Sequence, residues 1–187
     1  MGVILKVVVK DKFYLTLHPR PAYVIGSGSY EGRMNLMAAS WVMPVSEEPP
    51  RVCLALDKES YTWELIRETE EFTVNVLSEE YTDKIYYVGS RSGRDVDKVK
   101  SSGFKMVKGK VVSAPIVEDS IAVLECKLYK TIDCGDTVLV IGDVIRCEVD
   151  VKKYNPKYGW NLREVSIPLH LWGRSFTYPC RIKIVKT

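Results

Sequence analysis

Histidine is scarce in this 187-residue chain, which holds only His18 and His170, and no cluster of other ligand side chains accompanies them. A zinc or iron centre finds no support in that pattern, so no metal is expected. The five cysteines, Cys53, Cys126, Cys134, Cys147 and Cys180, are odd in number, widely spaced and form no CxxC pair, which argues against a disulfide framework. Nothing approaches the roughly 18 consecutive apolar residues that a membrane-spanning helix needs. The opening stretch, MGVILKVVVKDKFYL, is interrupted by Lys6 and Lys10 and lacks the small-residue cleavage site of a secretory signal, so it reads as a first strand. A soluble, cytoplasmic protein with no membrane partner is the expectation. The formal net charge of +3 is a small remainder between 27 basic and 24 acidic residues. With no basic stripe along the sequence, nucleic acid is not indicated as a partner. Nucleotide and hydrolase signatures are missing as well: no GxGxxG opens a helix, no phosphate loop occurs, and no nucleophile elbow has a partnered histidine. GSGSYEG, at 26–32, contains a GxG but no following helix, and reads as a turn or loop.

What is present is β structure. VILKVVV, RVCLALD, EFTVNVL, IAVLECKLYKT, TVLVIGDVIRCEV and RIKIVK are β-branched or alternating. The turn signal around Gly135 predicts a long hairpin between 121–131 and 137–150, with arms long enough to wrap a barrel. Cys53, Cys126 and Cys147 sit in alternating apolar segments and read as small buried hydrophobes. Helices are few and short. One starts at the N-cap Ser60 and buries Trp63, Ile66 and Leu65. Another runs from Ser78 to Gly89 with Tyr81, Ile85 and Val88 inward, and RSGRDVDKVKSSG reads as a loop with one helical turn. The length predicts one domain over 1–187, in which 151–187 is an irregular aromatic extension that must pack on the barrel or on a dimer partner.

Two stretches could carry chemistry. LDKESYTWELI places Ser60 and Thr62 at a helix start, where main-chain N–H groups and the dipole favour an anion such as phosphate; a plain N-cap is the alternative. NLMAASW, 35–41, has Ala38, Ala39 and Ser40 where a core strand is normally bulky. Small residues there let a flat ring lie on the main chain, or else simply face a neighbouring helix.

RPAYVIG, GRMNLMAASW, SEEPP, SYTW, EFTVNV, GRDVDK and GDTVLVIGD follow in this order between Arg20 and Asp150. The series resembles the flavin reductase-like family, the FMN-binding split barrels that include flavoredoxins and archaeal ferric reductases. The resemblance implies a mainly β fold, a Greek-key antiparallel split β-barrel with a few short helices, and FMN as cofactor. It implies that Asn35, Met37, Ala38, Ala39, Ser40 and Trp41 line the isoalloxazine, and that Asp57, Ser60, Tyr61 and Thr62 hold the phosphate. Arg94 and Lys98 become phosphate neighbours, with an exposed ion pair to Asp95 or Asp97 as the alternative for both. Asn75 would contact the flavin or satisfy strand backbone. His170, in LHLWGR, would position the reductant or be an ordinary packed histidine. Trp172 stands where the family has a small residue, which narrows the room for a nicotinamide.

The function so implied is NAD(P)H-dependent reduction of flavin or ferric complexes by an FMN-binding oxidoreductase, with NAD(P)H as co-substrate. A flavoredoxin-like carrier fed by a protein partner, or a non-enzymatic flavin-binding protein, are the alternatives. A homodimer is expected, with Trp160, Trp172, Phe176 and Tyr178 of the tail offering the contact. The electron acceptor is a small molecule or a protein.

Overall fold

The computed structural model describes residues 4–183. Seven strands form one antiparallel sheet: β1 (Tyr23–Gly28), β2 (Met34–Ala39), β3 (Val42–Ser46), β4 (Arg51–Asp57), β5 (Glu71–Val76), β6 (Ala122–Cys134) and β7 (Thr137–Val149). Their order is β2-β1-β5-β6-β7-β4-β3. β4 and β5, consecutive in the chain, are separated by β6 and β7 in the sheet, which is a Greek-key arrangement. The two edges, β2 and β3, are joined only by Ser40 and Trp41. Seven flat strands would hold their edges about 29 Å apart, whereas that link reaches about 10 Å. The sheet must therefore roll up until its edges meet. No ladder joins β2 to β3 among the described residues, so the barrel stays split there.

β1 is buried on both sides, and its alternation shows how the core is divided. Ile25 points into the barrel with Leu54, Leu56, Phe72, Val74, Cys126 and Val140. Val24 points outward and packs with Leu36, Leu77, Ile85, Val88, Phe104 and Val117. Each such side chain contributes roughly 1.5–3 kcal/mol of burial. The outer layer is built by α1 (Tyr61–Thr69), α2 (Thr82–Gly89) and α3 (Lys98–Ser102). α1 starts where expected, with Ser60 Oγ accepting from Trp63 N, and it buries Thr62, Leu65 and Ile66 while Trp63 is half-buried. α2 begins four residues later than the sequence suggests, after a 3-10 turn over Glu79–Tyr81. Beside the barrel, β8 (Leu169–Trp172) pairs with Arg20–Pro21 on one side and with β9 (Ser175–Thr177) on the other. No helix among the described residues is long and apolar enough to cross a membrane.

Four expectations need correction. The 4–9 part of VILKVVV forms no strand, and Ile4, Leu5, Val7 and Val8 are exposed; strand propensity without a partner edge makes no ladder. Residues 181–183 of RIKIVK are likewise unpaired, while Val3 and 184–186 lie outside the described residues. Gly26, Ser27 and Gly28 belong to β1 instead of a loop. Gly26 is needed there because a Cβ would come within 2.2 Å of the Pro115 carbonyl oxygen. Cys53 and Cys126 are buried, but Cys147 is exposed: the bulge after Val144 leaves it on an open cavity with Val149 and Trp160.

Candidate functional site

Two cavities share β2. The first, about 400 Å³, lies between the start of β2, the start of α1 and residues 93–100. Asn35 forms part of its wall and is 2% exposed. Its Nδ2 donates to Thr62 Oγ1 at 2.9 Å and to Ser27 Oγ at 3.4 Å, while its Oδ1 has no partner. Gly93 presses on this side chain so closely that a Cβ would sit 2.3 Å from the Oδ1. Lacking a side chain, Gly93 lets the main chain close over this unpaired acceptor at the cavity wall.

Tyr61 and Arg94 line the same space. Arg94 donates to the Glu59 carbonyl at 2.7 Å, pairs with Glu64 at 2.6 Å and lies 5.4 Å from the Tyr61 ring centre. Its carboxylate partner is therefore Glu64, on α1, and neither Asp95 nor Asp97. Lys98 is buried, and its Nζ donates to the carbonyls of Val88 (3.0 Å) and Arg91 (3.1 Å). Burial pushes it down to about 8. It ties the end of α2 to the loop that follows and is not a free surface cation. Of the remaining residues in this stretch, Ser60 caps α1, Thr62 is committed to Asn35, and Asp57 is exposed at the end of β4, where its Oδ1 accepts from Glu59 N at 2.7 Å. Asp57 lines neither cavity.

The second cavity, about 310 Å³, has Ala38, Ala39 and Ser40 on one side, Tyr86, Gly89 and Ser90 of the α2 end on another, and His170, Trp172 and Phe176 of β8 and β9 closing it. A Cβ on Gly89 would come within 2.8 Å of the Ala38 Cβ, so small residues on both elements let α2 approach β2. Ala38 of NLMAASW thus faces a helix, as one reading of the sequence expects, and the ribbon also borders a cavity. Met37 packs against the barrel core. Trp41 is linked to the cavity through Tyr14, whose ring centre is 5.4 Å from that of Trp41 and 6.2 Å from that of Trp172. The main-chain oxygen of His170 meets His18 Nδ1 at 2.9 Å, and its Nε2 lies 3.2 Å from the Gly173 carbonyl.

Asn75 stands apart from both cavities. It is fully buried; its Nδ2 donates to the Val24 carbonyl and Thr73 Oγ1, and its Oδ1 accepts from Val117 N and Ser120 Oγ. All of its hydrogen-bonding capacity is committed to main chain and neighbouring hydroxyls, so it is withdrawn as a flavin contact. Residues that sequence reasoning missed are Tyr86, Gly89, Gly93, Tyr14 and His18. Gly89 carried a signal only as a helix end and Gly93 only as the first residue of GRDVDK; the others carried none, because pairing in space assigns them.

Residues 15–178 match the flavin reductase like domain family. The chain belongs to the flavin reductase-like family. The uncharacterised protein YddH of Escherichia coli (strain K12) is 36% identical over 124 residues, which are 65% of this chain and 66% of that protein. A flavin reductase of Pseudomonas putida is 30% identical over 120 residues, 64% of this chain and 67% of its own. Flavoredoxin of Desulfovibrio vulgaris (Miyazaki F) superposes with a TM-score of 0.82 over 97% of each chain at 26% identity. Membership in the flavin reductase-like family carries flavin-linked oxidoreductase or electron-carrier chemistry. The superposition with flavoredoxin extends over almost the whole of this mainly β architecture.

Proposed function

We propose that the protein binds FMN across the two cavities and acts as an NAD(P)H-dependent oxidoreductase for flavin or ferric complexes in the cytoplasm. The observation that carries this reading is the unpartnered Asn35 Oδ1, buried on the strand that a polar cavity and an apolar slot have in common. A buried acceptor left without a donor costs ~1–3 kcal/mol. A ligand with a flat ring at one end, hydroxyls in the middle and a phosphate at the other relieves that cost. Asn35 and Ala39, four residues apart on β2, are about 13 Å from each other along the strand, a span that suits such a molecule.

FMN, when bound, supplies the two-electron chemistry that the polypeptide lacks. The chain binds and orients. Ala38, Ala39 and Ser40 offer main-chain groups to the polar edge of the ring, with Met37 and Trp41 behind them. Tyr86, Gly89 and Phe176 exclude water from the slot, and Asn35 accepts from a hydroxyl. Tyr61, Arg94 and the first N–H groups of α1 hold the phosphate, in a seat shaped by Ser60 and Thr62. Lys98 is a positioning residue that acts through the main chain of Val88 and Arg91, and His170 orients the reductant. One observation favours the carrier reading instead: Trp172 borders the slot where the family has a small residue, so a nicotinamide would have to displace its ring.

An absorption spectrum with an FMN titration tests the core of the proposal, and a preparation that takes up no FMN sinks it. Rapid mixing of the loaded protein with NADH and NADPH then separates the two activities. Fast bleaching supports the reductase, whereas reduction only by a protein donor supports the carrier. We also propose a homodimer formed through the flank of the barrel, where exposed Met43 lines a mostly apolar cavity of about 480 Å³ that includes Trp160, and Val45 and Ile145 on the same strands are exposed. Sedimentation at rising concentration tests it.

A further inference from the structure

The rim of the second cavity is basic in a way that chain order conceals. Between Val165 and Thr187 the sequence contains no Asp or Glu, but it has Arg174, Arg181, Lys183 and Lys186. Three cations from separate segments meet residues that line the cavity, and a fourth is the strand-register neighbour of one of them. Lys12 Nζ lies 4.7 Å from the Trp172 ring centre, and the Arg174 guanidinium 5.8 Å from that of Tyr86. Arg91 donates to Ser90 Oγ at 3.0 Å, and Arg20 stands opposite His170 in the strand register. None of the four is ion-paired with a carboxylate among the described residues, although Arg33, Arg51, Lys58 and Arg94 all are. Asp11, Asp95 and Glu164, the carboxylates nearest along the chain to Lys12, Arg91 and Arg174, are exposed and bridge none of them.

Trp172, which lines the cavity, is 46% exposed, and Leu171 and Tyr178 of the same tail are exposed by 37% and 38%. An aromatic, apolar centre inside a charged rim has the anatomy of a protein interface. The cations approach from two sides, Lys12 and Arg20 by β8, Arg91 by the end of α2, with Arg174 reaching from the β8–β9 turn to α2. That spread matches carboxylates distributed over a surface better than the closely spaced phosphates of a dinucleotide. A second copy of the chain fits poorly, because an isologous contact centred here would set the same four cations against themselves. On this argument Trp172 and Phe176, which line the cavity, serve this face in place of the dimer contact.

We infer that the mouth of the second cavity is the docking face for a small electron-transfer protein with an acidic surface. The inference rests on the reading of this cavity as the flavin-ring site. Complementary charge steers such a partner and sets its orientation, and salt weakens it.

A plant-type [2Fe–2S] ferredoxin serves as the acidic probe, with binding measured calorimetrically with and without added FMN. The expected result is binding at low salt that weakens at least about tenfold when the Debye length is shortened to about 8 Å at physiological ionic strength. Lys12→Glu, Arg91→Glu and Arg174→Glu should each weaken it by about fivefold, and together abolish it, with FMN affinity unchanged. Absence of ferredoxin binding, or variants that bind it as well as the parent, overturns the inference. So does loss of NADPH binding in the variants with ferredoxin binding intact, which would assign the cations to phosphates, or a change in their sedimentation, which would assign the face to a second copy. Ferredoxin binding by a preparation that takes up no FMN supports the docking face while removing the flavin reading.

Discussion

Asn35 Nδ2 donates to Thr62 Oγ1 across 2.9 Å, a buried bond that joins the start of β2 to the first turn of α1 over 27 residues of sequence. It turns the amide so that the Oδ1 is left without a donor beside Gly93. The two stretches read separately in the sequence, the small-residue ribbon and the helix start, are physically one site because of this pair.

Gly93→Ala should therefore damage FMN binding more than stability. The new methyl meets the Asn35 oxygen and the Tyr61 ring, at 2.3 and 2.7 Å in the present geometry, and displaces both from the cavity. Overpacking of this kind costs about 1–3 kcal/mol, and FMN affinity should fall by about tenfold or more, measured by quenching of flavin fluorescence. Asn35→Ala should lower affinity similarly, by removing the acceptor. Full affinity in both variants would disprove the assignment.

Gly89→Val should close the second cavity, since even a Cβ at this position stands 2.8 Å from that of Ala38. The expected outcome is a Tm lowered by a few degrees, about 1–3 kcal/mol of overpacking, together with a flavin spectrum altered in position, because the ring loses its slot while the phosphate seat remains.

Lys98 makes stability depend on pH in the alkaline range. Folded, it is held at about 8, against its ordinary 10.5, by burial. Between those values the unfolded chain binds more protons than the folded one, so unfolding free energy rises with pH across the window, by an amount on the order of 3 kcal/mol. Below pH 8 both states carry the charge and the contribution is flat. Urea unfolding at pH 7.5 to 10, with Lys98→Met as reference (pH values spanning about that window), should show the parent gaining on the variant as pH rises. Parallel pH profiles would refute the burial of this ammonium.

Thiol labelling reads out both burial and assembly. Cys134, Cys147 and Cys180 are exposed, whereas Cys53 and Cys126 are buried, and burial also pushes the thiols of Cys53 and Cys126 up. Desolvation in the flank cavity pushes the Cys147 thiol up as well, so two fast thiols, Cys134 and Cys180, one intermediate and two slow ones are expected with a water-soluble disulfide reagent. Because Cys147 lies in the barrel-flank cavity, its labelling should slow as protein concentration rises, if the flank is where two copies meet. Concentration-independent labelling would move the dimer contact elsewhere.

Much of the architecture was legible from local pattern. Arg51–Asp57 and Thr137–Val149 coincide with the segments read from alternation, and Ser60 caps α1. These succeed because side-chain period and capping chemistry act within a few residues. The run at 4–9 misleads for the complementary reason: β-branched residues favour a strand, but a ladder needs a second edge, and the described chain provides none.

By itself, the sequence determined that this is a mainly β chain of flavin reductase-like type, with a small-residue ribbon and a capped helix start in the right order. Tertiary structure alone decided what the polar groups do. It withdrew Asn75 into four internal hydrogen bonds, buried Lys98, left Asn35 Oδ1 unpaired, and gathered Lys12, Arg20, Arg91 and Arg174 around one opening. The physical reason is that periodicity and capping are short-range properties of the chain, whereas hydrogen-bond satisfaction and charge density depend on which distant segments a rolled sheet brings within a few ångströms.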